Sequence, residues 1–154
     1  MRSLILTILP ATICFFSCQE KPASKMSGVA GSLQDSVIIR IWPKELDSLL
    51  RLNPNLPIVD IRSEIDFRNS HIFRAMSCDY SSPNFMNRIK KLGLESPVVL
   101  YDMNSSVTLE AAEEMKREGF KRVYEIAGGL FSWAREGKTL VTGESKIDSS
   151  VILK

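Results

Sequence analysis

Asp102 directly follows a continuous apolar stretch, Val-Val-Leu-Tyr at 98–101, which is typical of a buried strand. A polar loop follows it, and residues 106–119 then have the apolar spacing of an amphipathic helix. In α/β folds the residue between a buried strand and the next helix often does the chemistry, because ligands bind beyond the carboxyl ends of the strands. The sequence therefore makes Asp102 a candidate catalytic residue.

Cys78 and His71 are the other side chains that could react. Of the three cysteines, only Cys78 lies beyond residue 18, and His71 is the single histidine. The neighbouring Asp79 would raise the pKa of the Cys78 thiol, so we expect a buried, unreactive cysteine. A lone histidine followed by Ile72 is typical of a structural hydrogen bond rather than of acid–base catalysis.

Strands and helices that must position these residues alternate along the chain. We predict strands at 37–41, 57–61, 73–78, 97–101 and 121–126, and helices at 43–52, 63–70, 83–94, 106–119 and 128–137. Continuous apolar strands between helices predict an α/β fold, with a parallel sheet covered on both faces. Right-handed crossovers would then bring residues 60–62, 102–108 and 127–129 to the same edge of that sheet.

The first 17 residues differ from the rest and are typical of an export signal. Arg2 precedes an apolar stretch that is too short to span a bilayer and contains Pro10. Ser17-Cys18 then resembles the cleavage site of bacterial lipoproteins, which implies a lipid on Cys18 and anchoring to a membrane of the cell envelope. A simple export signal with an incidental cysteine is the alternative.

Residues 18–36 are polar and small, which indicates a flexible tether before a domain at 37–141 and a polar tail at 142–154. The apolar end of that tail either pairs as an edge strand or frays. The chain has 20 basic and 18 acidic residues without a long run of either sign. We therefore expect no nucleic-acid partner, since nucleic-acid binding needs a concentrated basic face.

Two segments resemble the signatures of rhodanese-like domains. Residues 57–77 have the apolar strand, Asp-x-Arg, an aromatic residue and His-Ile, although Phe73-Arg74 replaces the usual Pro-Gly. Residues 96–133 have the strand, the loop, the helix, Gly-Phe, a further strand and Gly-Gly before a tryptophan. The resemblance implies a rhodanese-like fold with a small parallel sheet of about five strands and helices on both faces.

The resemblance also assigns structural positions around the loop. Asp60 and Arg62 match the aspartate and arginine at the end of the family's strand, where an acid accepts loop N–H groups and a guanidinium bridges loops. His71 is expected to pack under this network. Gly128 and Gly129 would allow close backbone approach before the last helix.

The loop itself departs from active members of the family. They place a cysteine directly after the strand and arginines in the loop, so that backbone N–H groups and the helix N-terminus lower the pKa of the thiol. Here Asp102 is at the cysteine position, and Met103 and Val107 are where arginine is common. Ser105 replaces a small hinge residue, Thr108 keeps the hydroxyl, and the remaining loop residues are Asn104 and Ser106.

These departures predict a domain that is catalytically silent in sulfur transfer, because a carboxylate cannot accept a sulfane sulfur to form a persulfide. Asp102 would instead act as a built-in anion for the loop N–H groups. We expect no cofactor and no metal. The domain would then be a binding module for an unknown envelope protein or peptide, with residues 81–85 and 102–108 as candidate contacts.

Two enzymatic alternatives remain open. Cys78 could replace the missing nucleophile in sulfur transfer. Asp102 could attack phosphate in a Mg²⁺-dependent phosphatase, but Asn104 stands where that chemistry needs a second acid, and no distal acidic pair follows.

Overall fold

The computed structural model describes residues 37–144. It contains seven strands: β1 (Val37–Ile41), β2 (Ile58–Asp60), β3 (His71–Ile72), β4 (Ala75–Ser77), β5 (Val98–Tyr101), β6 (Arg122–Ile126) and β7 (Leu140–Val141). The helices are α1 (Pro43–Leu52), α2 (Glu64–Asn69), α3 (Phe85–Ile89), α4 (Thr108–Arg117) and α5 (Gly129–Arg135). The expected signal, the Cys18 lipid site, the tether and most of the tail lie outside the described residues.

Five strands form one sheet in the order β1-β6-β5-β2-β4, and every neighbouring pair is parallel. β5 is the central strand, between β6 and β2. The predicted α/β fold with a parallel sheet is therefore confirmed. Because all five strands run in the same direction, the loops after β2, β5 and β6 leave the sheet at one edge, which we call the carboxyl edge.

Helices cover both faces of this sheet. Val98 and Leu100 of β5 pack in a cluster with residues of α3 and α4. Val99 and Tyr101, which point the other way, pack in a second cluster with residues of α1, α2 and α5. Every side chain of β5 is fully buried for this reason, which explains the continuous apolar run of that strand.

The helix boundaries follow local signals. Pro43 occupies the first turn of α1, where a missing N–H costs nothing, and the carboxylate of Glu45 accepts the N–H of Trp42 at 2.6 Å. Ser63 caps α2 by accepting the N–H of Asp66 at 3.2 Å. α4 ends before Gly119, which has φ +98°.

Two predicted elements differ from the structure. The strand expected at 73–78 begins only at Ala75, because Phe73 and Arg74 form the turn between β3 and β4. The helix expected at 83–94 ends at Ile89 and continues as a 3₁₀ turn over Lys90–Leu92 before Gly93. Arg74 adopts φ +68°, which a β-strand does not accommodate, so the strand can begin only after it.

A second, two-stranded sheet joins distant parts of the chain. β3 pairs antiparallel with β7, with His71 opposite Val141 and Ile72 opposite Leu140. β7 thus belongs to the end of the expected domain at 37–141, and the apolar end of the tail lies outside the described residues. Within residues 37–144, no helix is both long and apolar enough to cross a membrane.

Candidate functional site at the carboxyl edge

Asp102 lies at the carboxyl edge directly after the central strand. Only 3% of its surface is exposed, although the loop that follows it is largely on the surface. Its carbonyl accepts the N–H of Leu130 at 2.9 Å, which ties the end of β5 to the first turn of α5. The position therefore belongs to the folded core and not to a free loop.

Four donors converge on the Asp102 carboxylate. Oδ1 accepts the backbone N–H groups of Asn104, at 2.9 Å, and of Ser105. Oδ2 accepts the N–H of Val107 at 2.8 Å and the hydroxyl of Ser106 at 3.1 Å. We call this set of donors, from residues 104 to 107, the loop cradle. Because each oxygen receives two hydrogen bonds, the buried carboxylate is well satisfied.

The loop cradle determines the protonation state of Asp102. Burial by itself would raise the pKa of the carboxyl group. The hydrogen bonds from Val107, Ser105, Ser106 and Asn104 outweigh burial and hold the pKa below its ordinary value. Asp102 is therefore an anion at neutral pH, and it is a poor proton donor or acceptor for catalysis at that pH.

Ser105 gives the loop the curvature that makes these N–H groups converge. Its φ is +69°, in the left-handed region that non-glycine residues rarely adopt. The hydroxyl of Ser105 donates to the carbonyl of Ile126 at 2.8 Å, which anchors the loop to the end of β6. The side-chain carbonyl of Asn104 accepts the N–H of Ser106 at 3.2 Å.

Gly129 allows α5 to pack directly on the loop. A Cβ atom added there would lie 2.4 Å from the carbonyl oxygen of Asp102 and 2.8 Å from the nitrogen of Asn104. Gly128 also has positive φ, and a Cβ there would lie 2.9 Å from the Cβ of Ser132. The two glycines expected at this approach are thus in contact with the loop and with the helix behind it.

Asp60 and Arg62 form a buried ion pair beside the loop. The guanidinium donates to both carboxylate oxygens, at 2.9 Å from Nε to Oδ1 and 2.6 Å from Nη2 to Oδ2. Nη2 also donates to the carbonyl of Ser70 at 2.6 Å, so that Arg62 joins the end of β2 to the end of α2. Arg62 is therefore fully engaged within the protein.

Tyr101 completes this network, and sequence reasoning assigned it no role. Its hydroxyl accepts the N–H of Ile72 at 3.1 Å. Burial and the charge of Asp60 raise the pKa of the Tyr101 hydroxyl, so it stays protonated. The signal in the sequence was the tyrosine at the end of an apolar strand, because a buried tyrosine hydroxyl needs a polar partner.

His71 is held by two contacts in α2. Its Nδ1 lies 2.8 Å from the carbonyl oxygen of Phe67. The imidazole also stacks on the ring of Phe67, with centroids 3.8 Å apart and 13° between the planes. The side chain is buried, and these contacts suit the structural hydrogen bond that the sequence suggested.

Cys78 lies one residue after β4 and is buried. Burial, chiefly, raises the pKa of its thiol; the Asp79 carboxylate adds to this and Arg88 opposes it. The thiol lies 3.9 Å from the carbonyl of Phe85.

Phe85 is itself buried, so the candidate contact segment 81–85 presents only its first four residues to a partner.

Thr108 begins α4 under the loop cradle. Its side chain is buried, and within the described part of the chain its hydroxyl has no hydrogen-bond partner. The Asp102 carboxylate receives its hydrogen bonds from residues 104–107 instead. The hydroxyl that the sequence suggested as part of the loop is therefore present but does not contact the aspartate.

The outer surface of this edge carries exposed apolar side chains. Phe131 is 61% exposed and Met103 46% exposed, and the N–H of Phe131 donates to the carbonyl of Met103 at 2.9 Å. Trp42 follows β1 at the same edge and is 50% exposed. We call Trp42, Met103, Val107 and Phe131 the apolar rim. Sequence reasoning missed Trp42 and Phe131 because periodicity does not show which residues at strand ends stay uncovered.

Comparison with known proteins agrees with this architecture. Residues 43–136 match the sequence profile of the rhodanese-like domain. The chain belongs to the rhodanese-like family. It is 28% identical over 96 residues to the probable adenylyltransferase/sulfurtransferase MoeZ of Mycobacterium tuberculosis, a match that covers 62% of this chain and 24% of MoeZ. It thus spans about a quarter of the length of that relative.

Smaller relatives and solved structures match the rhodanese-like domain as well. Thiosulfate sulfurtransferase GlpE of Coxiella burnetii is 27% identical over 79 residues, which are 51% of this chain and 72% of GlpE. Thiosulfate sulfurtransferase from Pseudomonas aeruginosa superposes with a TM-score of 0.62 at 16% identity, covering 70% of this chain and 21% of the enzyme. A rhodanese-like domain protein from Staphylococcus aureus gives 0.59 at 17% identity, with 69% and 99% covered.

Proposed function

We propose that this rhodanese-like domain is silent in sulfur transfer and acts by binding, with Asp102 at the position of the nucleophilic cysteine. The observation that supports the proposal is the loop cradle, whose four donors all form hydrogen bonds to the Asp102 carboxylate. In an active loop such N–H groups stabilise a thiolate and its persulfide. Here they stabilise a group that cannot carry sulfur.

The charge of Asp102 also disfavours an anionic substrate. The carboxylate is ionised and fills the space on which the N–H groups converge. An incoming thiosulfate or phosphate would meet a negative charge there without an arginine to neutralise it, since Met103 and Val107 are apolar. Asp102 therefore serves the loop as an internal ligand.

Cys78 is poorly placed to replace the missing nucleophile. It is buried and the pKa of its thiol is raised, whereas a reactive cysteine needs a lowered pKa and access to solvent. Its environment is the cluster beneath α3 and α4. We therefore assign Cys78 to packing and not to sulfur transfer.

The apolar rim is the surface on which a protein or peptide would bind. Two of its side chains, Met103 and Val107, belong to the loop whose Asn104 and Ser106 are exposed and can offer hydrogen bonds. Exposed apolar side chains beside exposed polar groups suit a protein partner, because binding would remove the apolar surface from water. The proposed partner is a protein or peptide of the cell envelope.

Anchoring through a lipid on Cys18 places this binding surface near a membrane. The apolar stretch before Ser17-Cys18 supports this part of the proposal. Mass spectrometry of the mature N-terminus in the native host tests it directly. We expect an acylated Cys18, and an unmodified terminus at another residue would contradict the anchor.

Sulfur transfer from thiosulfate to cyanide by the purified full-length protein tests the central claim. We expect no turnover above the uncatalysed background, with GlpE as the active reference. Turnover that disappears in Cys78→Ser would refute the silent domain. Mg²⁺-dependent phosphatase activity that disappears in Asp102→Asn would also refute the proposal, because Asp102 would then be a catalytic nucleophile.

A further inference from the structure

A cleft lies at the edge of the sheet opposite to Asp102, where β2 and β5 begin. Pro57 and Pro97 line it, and these residues precede the two strands. Its volume is about 750 Å³, within the range of about 300–1,000 Å³ that small-molecule sites occupy. The cleft is therefore separate from the loop cradle and large enough for a ligand.

The walls of the cleft are mainly apolar. They are formed by buried or half-buried side chains of α1, the loop before β2, both sheets and α5, namely Leu50, Leu56, Ile58, Ile72, Met76 and Trp133. The indole N–H of Trp133 donates to the carbonyl of Thr139 at 3.0 Å, so its polar atom is already satisfied. A ligand in this cleft would meet apolar surface and the rings of Phe73 and Trp133.

The turn between β3 and β4 shapes one side of the cleft. Arg74 has φ +68°, in the left-handed region where glycine is the usual residue. Phe73 beside it is 58% exposed. Arginine at this positive φ makes the folded state less stable than glycine would. Residues kept in such conformations cluster at ligand sites.

Two cations line this cleft without an internal counter-ion. Arg74 and Lys91 are both exposed. The ion pairs within residues 37–144 use other cations: Arg40, Arg62, Arg68, Lys90 and Lys138. The one carboxylate that lines the cleft, Asp47, is paired with Lys138. The cleft therefore combines apolar walls with unneutralised positive charge.

We propose that this cleft binds a small amphipathic carboxylate, such as a medium-chain fatty acid. Its apolar chain packs against Leu50, Ile72 and Trp133, which belong to one cluster, and its carboxylate lies between Arg74 and Lys91, since guanidinium groups bind carboxylates well. This site is independent of the proposed binding role of the carboxyl edge. Either can fail while the other holds.

Fluorescence of Trp133 in the full-length protein tests the site. The chain has two tryptophans, so Trp42→Phe leaves Trp133 as the single reporter. Decanoate, titrated below its micellar concentration, should change this fluorescence with saturation. Decanol should bind at least about tenfold more weakly, which is the factor expected for one lost charged contact.

Substitutions of the two cations separate binding from folding. Arg74→Gly should weaken decanoate binding about tenfold while leaving Tm unchanged or higher, because glycine adopts positive φ freely. Lys91→Gln should weaken binding as well. Lys116→Gln, an exposed cation of α4 that does not line the cleft, is the matched control and should bind as the parent does.

Three results would overturn the proposal. The first is the absence of a saturable change in Trp133 fluorescence with decanoate. The second is equal affinity for decanol, which would assign the cleft to an uncharged apolar partner. The third is unchanged decanoate affinity in Arg74→Gly and Lys91→Gln.

Discussion

The backbone N–H of Val107 donates a hydrogen bond of 2.8 Å to the carboxylate of Asp102. This bond closes the loop between the central strand and α4, and it directs the amino end of the helix at a side chain of the same loop. The other members of the loop cradle reinforce it. In this rhodanese-like domain the loop is thus held together by its own aspartate.

Asp102→Asn should destabilise the domain. The amide keeps one acceptor oxygen but turns an NH₂ group toward backbone N–H donors, so buried donors lose their partner. We expect a loss of about 1–3 kcal/mol in the free energy of unfolding, measured by urea denaturation. Asp79→Asn is the control, because Asp79 accepts the N–H of Ser81 in an exposed turn, and its loss should be well below that of Asp102→Asn.

The stabilising effect of Asp102 should depend on pH. Its pKa in the folded protein lies below the ordinary value of 3.8, so the ionised carboxylate favours the folded state. This contribution is complete above the ordinary pKa and is lost as pH falls through the lower folded-state value. The free energy of unfolding of the parent should therefore exceed that of Asp102→Asn by a constant amount from about pH 7 to 5. This difference should decrease below about pH 4.

Asp102→Cys tests whether the loop cradle lowers the pKa of a thiol. The N–H groups of Ser105 and Val107 would then face sulfur, and we expect a thiol pKa below about 8.5. The measurement is the pH dependence of alkylation, with the modified site located by mass spectrometry. Asn104→Cys, at an exposed position of the same loop, should titrate normally; equal pKa values at both sites would contradict the expected geometry.

Gly129→Ala should be strongly destabilising. Its Cβ would lie 2.4 Å from the carbonyl oxygen of Asp102, and φ is +55°, so both steric overlap and backbone strain oppose the folded state. We expect a loss of about 2–4 kcal/mol and a lower Tm. Gly137→Ala separates the two causes, because Gly137 has φ +70° with no atom within 4 Å of the added Cβ. It should cost only about 1 kcal/mol.

Tyr101→Phe should reveal the role of the hydroxyl beside the Asp60–Arg62 pair. The substitution leaves the N–H of Ile72 without its acceptor inside the core. We expect a loss of about 1–3 kcal/mol in thermal or urea unfolding. Tyr124→Phe, at a half-buried tyrosine of β6, is the comparison, and an equal loss there would show that the hydroxyl of Tyr101 has no special role.

The sequence alone determined the fold class and the family. Strand and helix preferences are local, so the apolar runs at 57–61 and 97–101 and the helical spacing of 106–119 were sufficient to predict a parallel α/β sheet. The order of the motifs identified a rhodanese-like domain. The side chains of the loop were also evident in the sequence, and the assignment of Asp102 to the position of a catalytic cysteine stays a prediction.

Only the tertiary structure decided how those side chains meet. The curvature at Ser105, the pairing of β3 with β7 and the packing of Gly129 on Asp102 join residues that are distant in sequence or adopt a rare backbone conformation. The cleft likewise brings together distant residues, with Arg74 and Trp133 both in its lining. Local patterns carry no information on such contacts, because packing between distant segments determines which groups are buried, paired or left exposed.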